Sequence, residues 1–196
     1  ACSLIGSVQI RNRATAGGNI CNAAPSADTP PPLLCLGARA VLAKAGRIRT
    51  VSLEKFFRGP GQTILSPNEI LIRLEVPPPP PLSAGCYLRH TPREEMDIAV
   101  AGVASFLIMS PSNRCQEARI ALAAVAPRPI RVPTAETILT GSTLSEAVIE
   151  EAAEQAAKAA RPISDVRASA EYRRELVKVL TRRALKRARQ AHVTLT

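Results

Sequence analysis

The hydrophobic and polar positions of this chain fall into a few distinct patterns. Ile70, Ile72 and Leu74 alternate with Leu71, Arg73 and Glu75, which predicts a strand with at least one buried face. The runs from Ile98 to Met109 and from Ala118 to Val125 are rich in Val, Ile, Ala and Phe, and two paired strands are the simplest reading. Prolines at 127, 129 and 133 then lead the chain off the sheet. Thr143-Leu144-Ser145-Glu146 has capping-box spacing, and the alanine-rich run that follows to Ala160 predicts a helix that Arg161-Pro162 stops. Ser169 is placed to cap a last helix in which Tyr172, Leu176, Leu180, Ala184 and Ala188 recur every fourth residue. That stripe would face the sheet and leave Arg173, Arg174, Arg182 and Arg183 outside. Strands followed by helices imply an α+β layer.

Prolines punctuate the first half. Asp28-Thr29-Pro30-Pro31-Pro32 reads as a helix start, since Asp or Thr can cap free N–H groups and Pro is tolerated in the first turn; Gly37 can stop that helix. Ser66-Pro67-Asn68-Glu69 has capping-box spacing ahead of the alternating strand. Pro77 to Pro81 is an unbroken proline run, which predicts extended backbone and a boundary between two domains, 1–80 and 85–196. No internal repeat is visible.

With 196 residues, 46% of them hydrophobic, the chain can bury a core without disulfides or a structural metal. Cysteines at 2, 21, 35, 86 and 115 form no C-x-x-C pair, which argues against a disulfide framework, a zinc ribbon or an iron–sulfur cluster held within this chain. Buried, reduced thiols in a cytoplasmic setting are the expectation. No apolar run reaches the ~18 residues that span a bilayer. The net charge of +10 concentrates on the last predicted helix, at Arg173, Arg174, Lys178, Arg182, Arg183, Lys186, Arg187 and Arg189. Three Phe, two Tyr and no Trp leave little with which to stack bases, so a solvated or subunit-facing helix surface is favoured over a nucleic-acid site. His90 and His192 are the only histidines, and they are too far apart to suggest a metal site.

The most informative stretch is Thr15-Ala16-Gly17-Gly18-Asn19, followed by Asp28 at a helix start. Paired glycines read as a turn with φ > 0 whose bare N–H groups can approach a phosphate oxygen, with Thr15 and Asn19 adding donors at the rim. The segment from Gln9 to Asn19 and on through Asp28 to Leu34 resembles the second flavin-binding motif of the FAD-binding subunits of molybdenum hydroxylases. These are the medium subunits of aerobic carbon monoxide dehydrogenases and the flavin domains of xanthine dehydrogenases. Tyr87 to Ala99 looks like that family's loop beside the isoalloxazine ring. Ile120 to Arg131, with its Ala-Val-Ala-Pro-Arg-Pro core, and Asp165 to Leu185, around Ser169-Ala170-Glu171-Tyr172-Arg173, look like its C-terminal domain.

The resemblance implies the C-terminal half of a PCMH-like FAD-binding domain, followed by a small antiparallel sheet packed on helices. The family's other phosphate-binding glycine motif would precede residue 1, so the chain looks N-terminally truncated. Thr15, Ala16, Gly17, Gly18 and Asn19 match the stretch that meets the FAD pyrophosphate. Asp28 matches an acid that accepts hydrogen bonds from flavin-side hydroxyls; a plain helix cap is the alternative, and both can hold at once. Leu71 falls where the family packs a strand residue near the flavin, with ordinary core as the alternative. Arg89 stands where some relatives have lysine, and Asp97-Ile98 matches the loop over the ring, where Ile98 could control access. By resemblance a large molybdopterin subunit oxidises the substrate and a small [2Fe-2S] subunit passes electrons to this subunit's FAD, which relays them to an external acceptor. Neither a catalytic residue toward substrate nor a metal ligand is expected in this chain. A flavin-free assembly scaffold and a basic nucleic-acid-binding protein are the rival classes.

Overall fold

The computed structural model describes residues 1–93 and 96–195; the side chains of residues 192–195, His192 among them, lie outside the described set. After a single 3-10 turn, three short helices open the chain: α1 (Val8–Arg11), α2 (Ala16–Asn22) and α3 (Pro30–Cys35). A three-stranded antiparallel sheet follows from β1 (Arg39–Lys44), β2 (Arg47–Ser52) and β5 (Ile70–Glu75), with β1 central. The two-stranded β3 (Phe57–Gly59) and β4 (Gln62–Thr63) lie between. The exposed run Pro77 to Pro81 carries no helix or strand. Beyond it, β6 (Ser83–His90), β7 (Ala101–Met109), β8 (Cys115–Ala123) and β9 (Ile130–Arg131) form an antiparallel meander in sequence order. The chain closes with α4 (Pro133–Leu139), α5 (Glu146–Ala159) and α6 (Ala170–Leu195).

The meander is a wall shared by two apolar clusters. Successive strand residues point to opposite faces. Val103 and Leu107 on β7 join the cluster with α4, α5 and α6, while Ala104 and Phe106 join the one with Ile20, Leu34, Leu42 and Phe56. Burial on both faces explains the apolar run, interrupted by Ser105, that made β7 legible. It begins at Ala101, because Ile98 and Ala99 belong to the preceding loop. The run read at Ala118–Val125 is β8, paired antiparallel to β7 as expected, whereas β6 and β9 were not anticipated. β6 reads Ser-Ala-Gly-Cys-Tyr-Leu-Arg-His and lacks strand character of its own; eight consecutive pairings to β7 hold it. The β1–β2 hairpin, turning at Ala45-Gly46, also went unread.

Several local expectations meet their physical reasons here. Pro30 and Pro31 open α3, and Gly37 ends it at φ +69, where its N–H and that of Ala38 return to the Leu34 and Leu33 carbonyls. Neither Asp28 nor Thr29 caps α3 with its side chain, because both are engaged elsewhere. Ser66 and Glu69 make half a capping box, Glu69 Oε2 accepting from Ser66 N at 2.9 Å, but they form a turn with no helix. On β5 the buried face is not the isoleucine face: Leu71 and Leu74 pack on the core while Ile70 and Ile72 are exposed. A register shift opposite Val41 and Leu42 carries the strand past simple alternation. The cap of α5 is Ser145, which accepts from Val148 N, and Ser169 does receive Tyr172 N at 3.2 Å.

The largest correction concerns α6. A strict four-residue stripe advances 400° per step and drifts around a helix of 3.6 residues per turn. The buried face is therefore Arg173, Val177, Leu180, Thr181, Ala184, Leu185 and Ala188, with Tyr172 left half exposed. Arg173 points inward. Of the other basic residues, Lys178 pairs with Glu150 and Glu154, Arg182 with Glu150, and Lys186 with Glu146, making a ladder along the α5–α6 seam; Arg183 is exposed. All five cysteines are free, but only Cys35 and Cys115 are buried. Burial pushes their thiols up to about 12 and about 11, which makes them unreactive.

Candidate flavin-facing site

The glycine pair does not form the expected turn. Thr15 has extended backbone, its Oγ1 accepts from Gly18 N at 2.9 Å, and the glycines occupy the first turn of α2 without positive φ. Conformational freedom is therefore not why they matter; bareness is. A Cβ on Gly17 would meet Leu71 Cδ2 at an ordinary 3.7 Å, and one on Gly18 would crowd Thr15 Oγ1 at 3.0 Å. Leu71 is thus the strand residue against which α2 rests. At the start of a helix the N–H groups of Ala16 and Gly17 have no intrahelical acceptor. They stand beside a cleft of about 280 Å³ whose lining includes Ser3, Arg11, Thr15, Ala16, Asn19 and Thr29. Arg11 donates to the Ile5 and Gly6 carbonyls at 2.8 and 3.2 Å, which fixes the opposite rim. The Ala16 amide, the Ser3, Thr15 and Thr29 hydroxyls and Arg11 give this mainly apolar cleft, which Gly17 and Gly18 do not themselves line, a few donors to an anionic group such as a pyrophosphate.

A hydrogen-bonded chain leads from this cleft into the meander. The Thr29 hydroxyl donates to Asn19 Oδ1, and the preceding residue, Asp28, is 6% exposed. Tyr87 Oη donates to Asp28 Oδ1 at 2.6 Å, and Arg89 Nη1 pairs with Asp28 Oδ2. Burial, and then the Asp28 charge, push the Tyr87 hydroxyl far above its usual range, so it stays a donor. Tyr87 and Arg89 reach one carboxylate because strand residues two apart share a face. Gly102, on the neighbouring strand β7, makes room: a Cβ there would lie 2.7 Å from Tyr87 Oη.

The third piece is the loop after β6. Val100 N donates to the His90 carbonyl at 2.9 Å and closes its base. Within it Asp97 accepts from Ile98 N and Arg93 N at 2.8 and 3.1 Å. These bonds, that from Ile98 first, hold its carboxyl below the ordinary range. Ile98 itself is 47% exposed. Glu94 and Glu95, in the block read from sequence as the ring loop, lie outside the described residues.

The structure therefore brings Thr15, Ala16, Gly17, Gly18, Asn19 and Leu71 together, and links Asn19 through Thr29 to Asp28 and Arg89. Ile98 stands apart on its loop. Sequence reasoning missed Tyr87, Thr29 and Arg11; the Tyr87–Arg89 spacing was the available signal for the first.

Comparisons with known proteins agree with this architecture. Residues 1–79 match the family model for the FAD binding domain in molybdopterin dehydrogenase, and residues 87–188 match that for the CO dehydrogenase flavoprotein C-terminal domain. The chain is 35% identical over 189 residues to the putative xanthine dehydrogenase FAD-binding subunit of Escherichia coli K12, covering 96% of this chain and 64% of that protein. It is 34% identical over 186 residues to the carbon monoxide dehydrogenase medium chain of Afipia carboxidovorans, covering 95% and 64% respectively. Among solved structures, reconstituted CO dehydrogenase from Oligotropha carboxidovorans superposes with a TM-score of 0.91 at 34% identity, over 96% of this chain and 65% of that one. Quinoline 2-oxidoreductase from Pseudomonas putida 86 gives 0.89 at 32% identity, over the same shares. The chain thus spans just under two thirds of the length of these relatives. It belongs to the family of FAD-binding medium subunits of the molybdenum hydroxylases.

Proposed function

We propose that this chain supplies one wall of an FAD site in a molybdenum-hydroxylase-type oxidoreductase and takes part in electron transfer rather than in substrate oxidation. The observation that carries this reading is the cleft beside Thr15–Asn19, where unpartnered first-turn amides and the Thr15 and Asn19 side chains converge inside the segment matched to the FAD-binding domain. In it Thr15, Ala16, Gly17, Gly18 and Asn19 hold the pyrophosphate. Leu71 backs the α2 turn. Asp28, held by Tyr87 and Arg89, has lone pairs left over for a flavin-side hydroxyl. Ile98 covers the approach to the ring. When bound, FAD supplies an isoalloxazine that exchanges electrons with a donor and an acceptor; the residues of this chain orient it and limit solvent access.

The donor and the substrate-oxidising centre belong to partners in this reading: a small iron–sulfur subunit and a large molybdopterin subunit. Five free thiols support a reducing, cytoplasmic setting, and no helix among the described residues is long and apolar enough to cross a membrane. The test is flavin retention. Protein purified with its partners should carry the flavin absorbance band, and Gly18→Val, whose Cβ crowds Thr15 Oγ1 at 3.0 Å and so displaces a side chain that lines the cleft, should lose it with the far-UV circular dichroism intact. Equal flavin content in the variant would remove this turn from the site.

A further inference from the structure

The last helix carries a buried guanidinium that the flavin reading leaves without a task. Arg173 is 4% exposed. Its Nη1 donates to the carbonyls of Val100 at 2.7 Å and Ala124 at 3.2 Å, and its Nη2 to Asp165 Oδ1 at 2.8 Å. Its Nε is buried without a partner among the described residues. Three segments end on one side chain, two of them, at Val100 and Ala124, remote in sequence.

Two of them lead to the proposed site. Val100 closes the loop that carries Asp97 and Ile98, through its own N–H bond to His90. Ala124 sits in the left-handed region at φ 65, and its N–H donates to the Pro25 carbonyl at 2.8 Å, three residues before Asp28. The third segment, around Asp165, folds back on the start of α6: that carboxylate also accepts from Arg167 N and Ala168 N at 2.9 and 3.2 Å. Beside the loop base, the rings of His90 and Tyr172 meet edge-on at 6.2 Å.

Apolar packing would seat α6 on the sheet without fixing the direction of any carbonyl. A planar guanidinium fixes both distance and direction at several acceptors, and it does so here at the cost of an orphan N–H. We propose that Arg173 is a positioning residue: it holds the Val100 loop base and the Pro25–Asp28 segment in one fixed relation, and so sets where Ile98 and Asp28 stand around the flavin. This rests on the flavin reading given above. The competing view is that Arg173 merely anchors α6, and the two differ in which amides loosen when it is changed.

Arg173→Lys keeps the charge but offers a compact donor that cannot span three acceptors. Amide hydrogen exchange of the unliganded protein is compared with FAD titration of the same samples. The expected result is unchanged secondary structure, exchange at Ile98–Val100 and Ala124 faster by about tenfold or more, unaltered exchange in α5 and the middle of α6, and FAD affinity lower by roughly tenfold. Acceleration spread along α6, or none at Val100 and Ala124, overturns the proposal. Asp165→Asn guards against a variant that fails to fold. It loosens Arg173 without removing it and should accelerate the same amides less; no change there also overturns the proposal. A wild-type protein with no affinity for FAD would defeat the flavin reading separately, while the exchange data would still decide whether Arg173 holds the loop.

Discussion

Replacing Gly102 by alanine should destabilise the protein through a residue on another strand. Alanine is ordinarily the better residue in a strand interior, by roughly 0.5–1 kcal/mol relative to glycine. Here its Cβ would lie 2.7 Å from Tyr87 Oη and 3.4 Å from Tyr87 Cε2 and Cζ. The ring is rigid, and its hydroxyl is tied to Asp28 at 2.6 Å, so it can withdraw only by giving up that bond. A hydrogen bond to a charged group is worth about 1.5–3 kcal/mol, and overpacking adds about 1–3 kcal/mol. With the ordinary alanine gain subtracted, Gly102→Ala should therefore cost roughly 1.5–5.5 kcal/mol; at about 2–4 °C per kcal/mol for a chain of this size, Tm falls by roughly 3–22 °C. Tyr87→Phe should cost only the hydrogen bond, about 1.5–3 kcal/mol. In that background the close contact disappears with the hydroxyl, leaving contacts of 3.4 Å, so adding Gly102→Ala should cost less than about 1 kcal/mol more. Urea denaturation of the four proteins closes the cycle. Additive effects, with the double variant as weak as the sum of the singles, would refute the reasoning and mean that Tyr87 and Gly102 do not compete for one space.

Gly17→Ala, whose Cβ meets only Leu71 at 3.7 Å, should leave thermal stability unchanged or raised by up to about 1 kcal/mol and, because that methyl points at Leu71, should leave FAD affinity unchanged by titration; a lost affinity would show that the ligand approaches the Gly17 Cα itself. Hydrogen bonds, chiefly the two from Arg49 and then that from Ser66 N, hold Glu69 at about 2 against an ordinary 4.5. A depressed carboxylate contributes its stability above its unfolded pKa and loses it as pH falls through the folded one. Melting temperature should therefore drop between about pH 4.5 and 2, and Glu69→Gln should flatten that part of the profile. Limited proteolysis should cut first in the exposed 77–81 stretch, and the nicked halves should co-elute on gel filtration because Ala104 and Phe106 pack in one cluster with Ile20 and Leu34; first cuts within β7 would contradict both.

What the sequence revealed and what it concealed divide along physical lines. The apolar runs of β7 and β8, the prolines opening α3, and the Ser caps of α5 and α6 act locally or repeat with a period, and both can be read from one strand of text. Strand β6 could not, since its residues owe their conformation to pairing with β7. The glycine pair, read as a positive-φ turn, is instead the first turn of a helix: a helix N-terminus presents free amides as well as a turn does, without positive φ. Arg173 was placed outside because a four-residue step was followed instead of the helical repeat. Asp28 was singled out, but its partners Tyr87 and Arg89 lie 59 and 61 residues away, a distance at which no local pattern speaks.

The central claim is that the Thr15–Asn19 turn, Asp28 and Ile98 face one FAD molecule. Amide chemical-shift mapping of this chain during titration with FAD tests it most directly, because it registers even weak, millimolar binding. The account predicts saturable shifts confined to Ala16–Asn19, Asp28–Thr29, Leu71 and Asp97–Val100, and their loss in Gly18→Val. Shifts confined to the exposed arginines of α6, or none at the Thr15–Asn19 turn at saturating FAD, would contradict it.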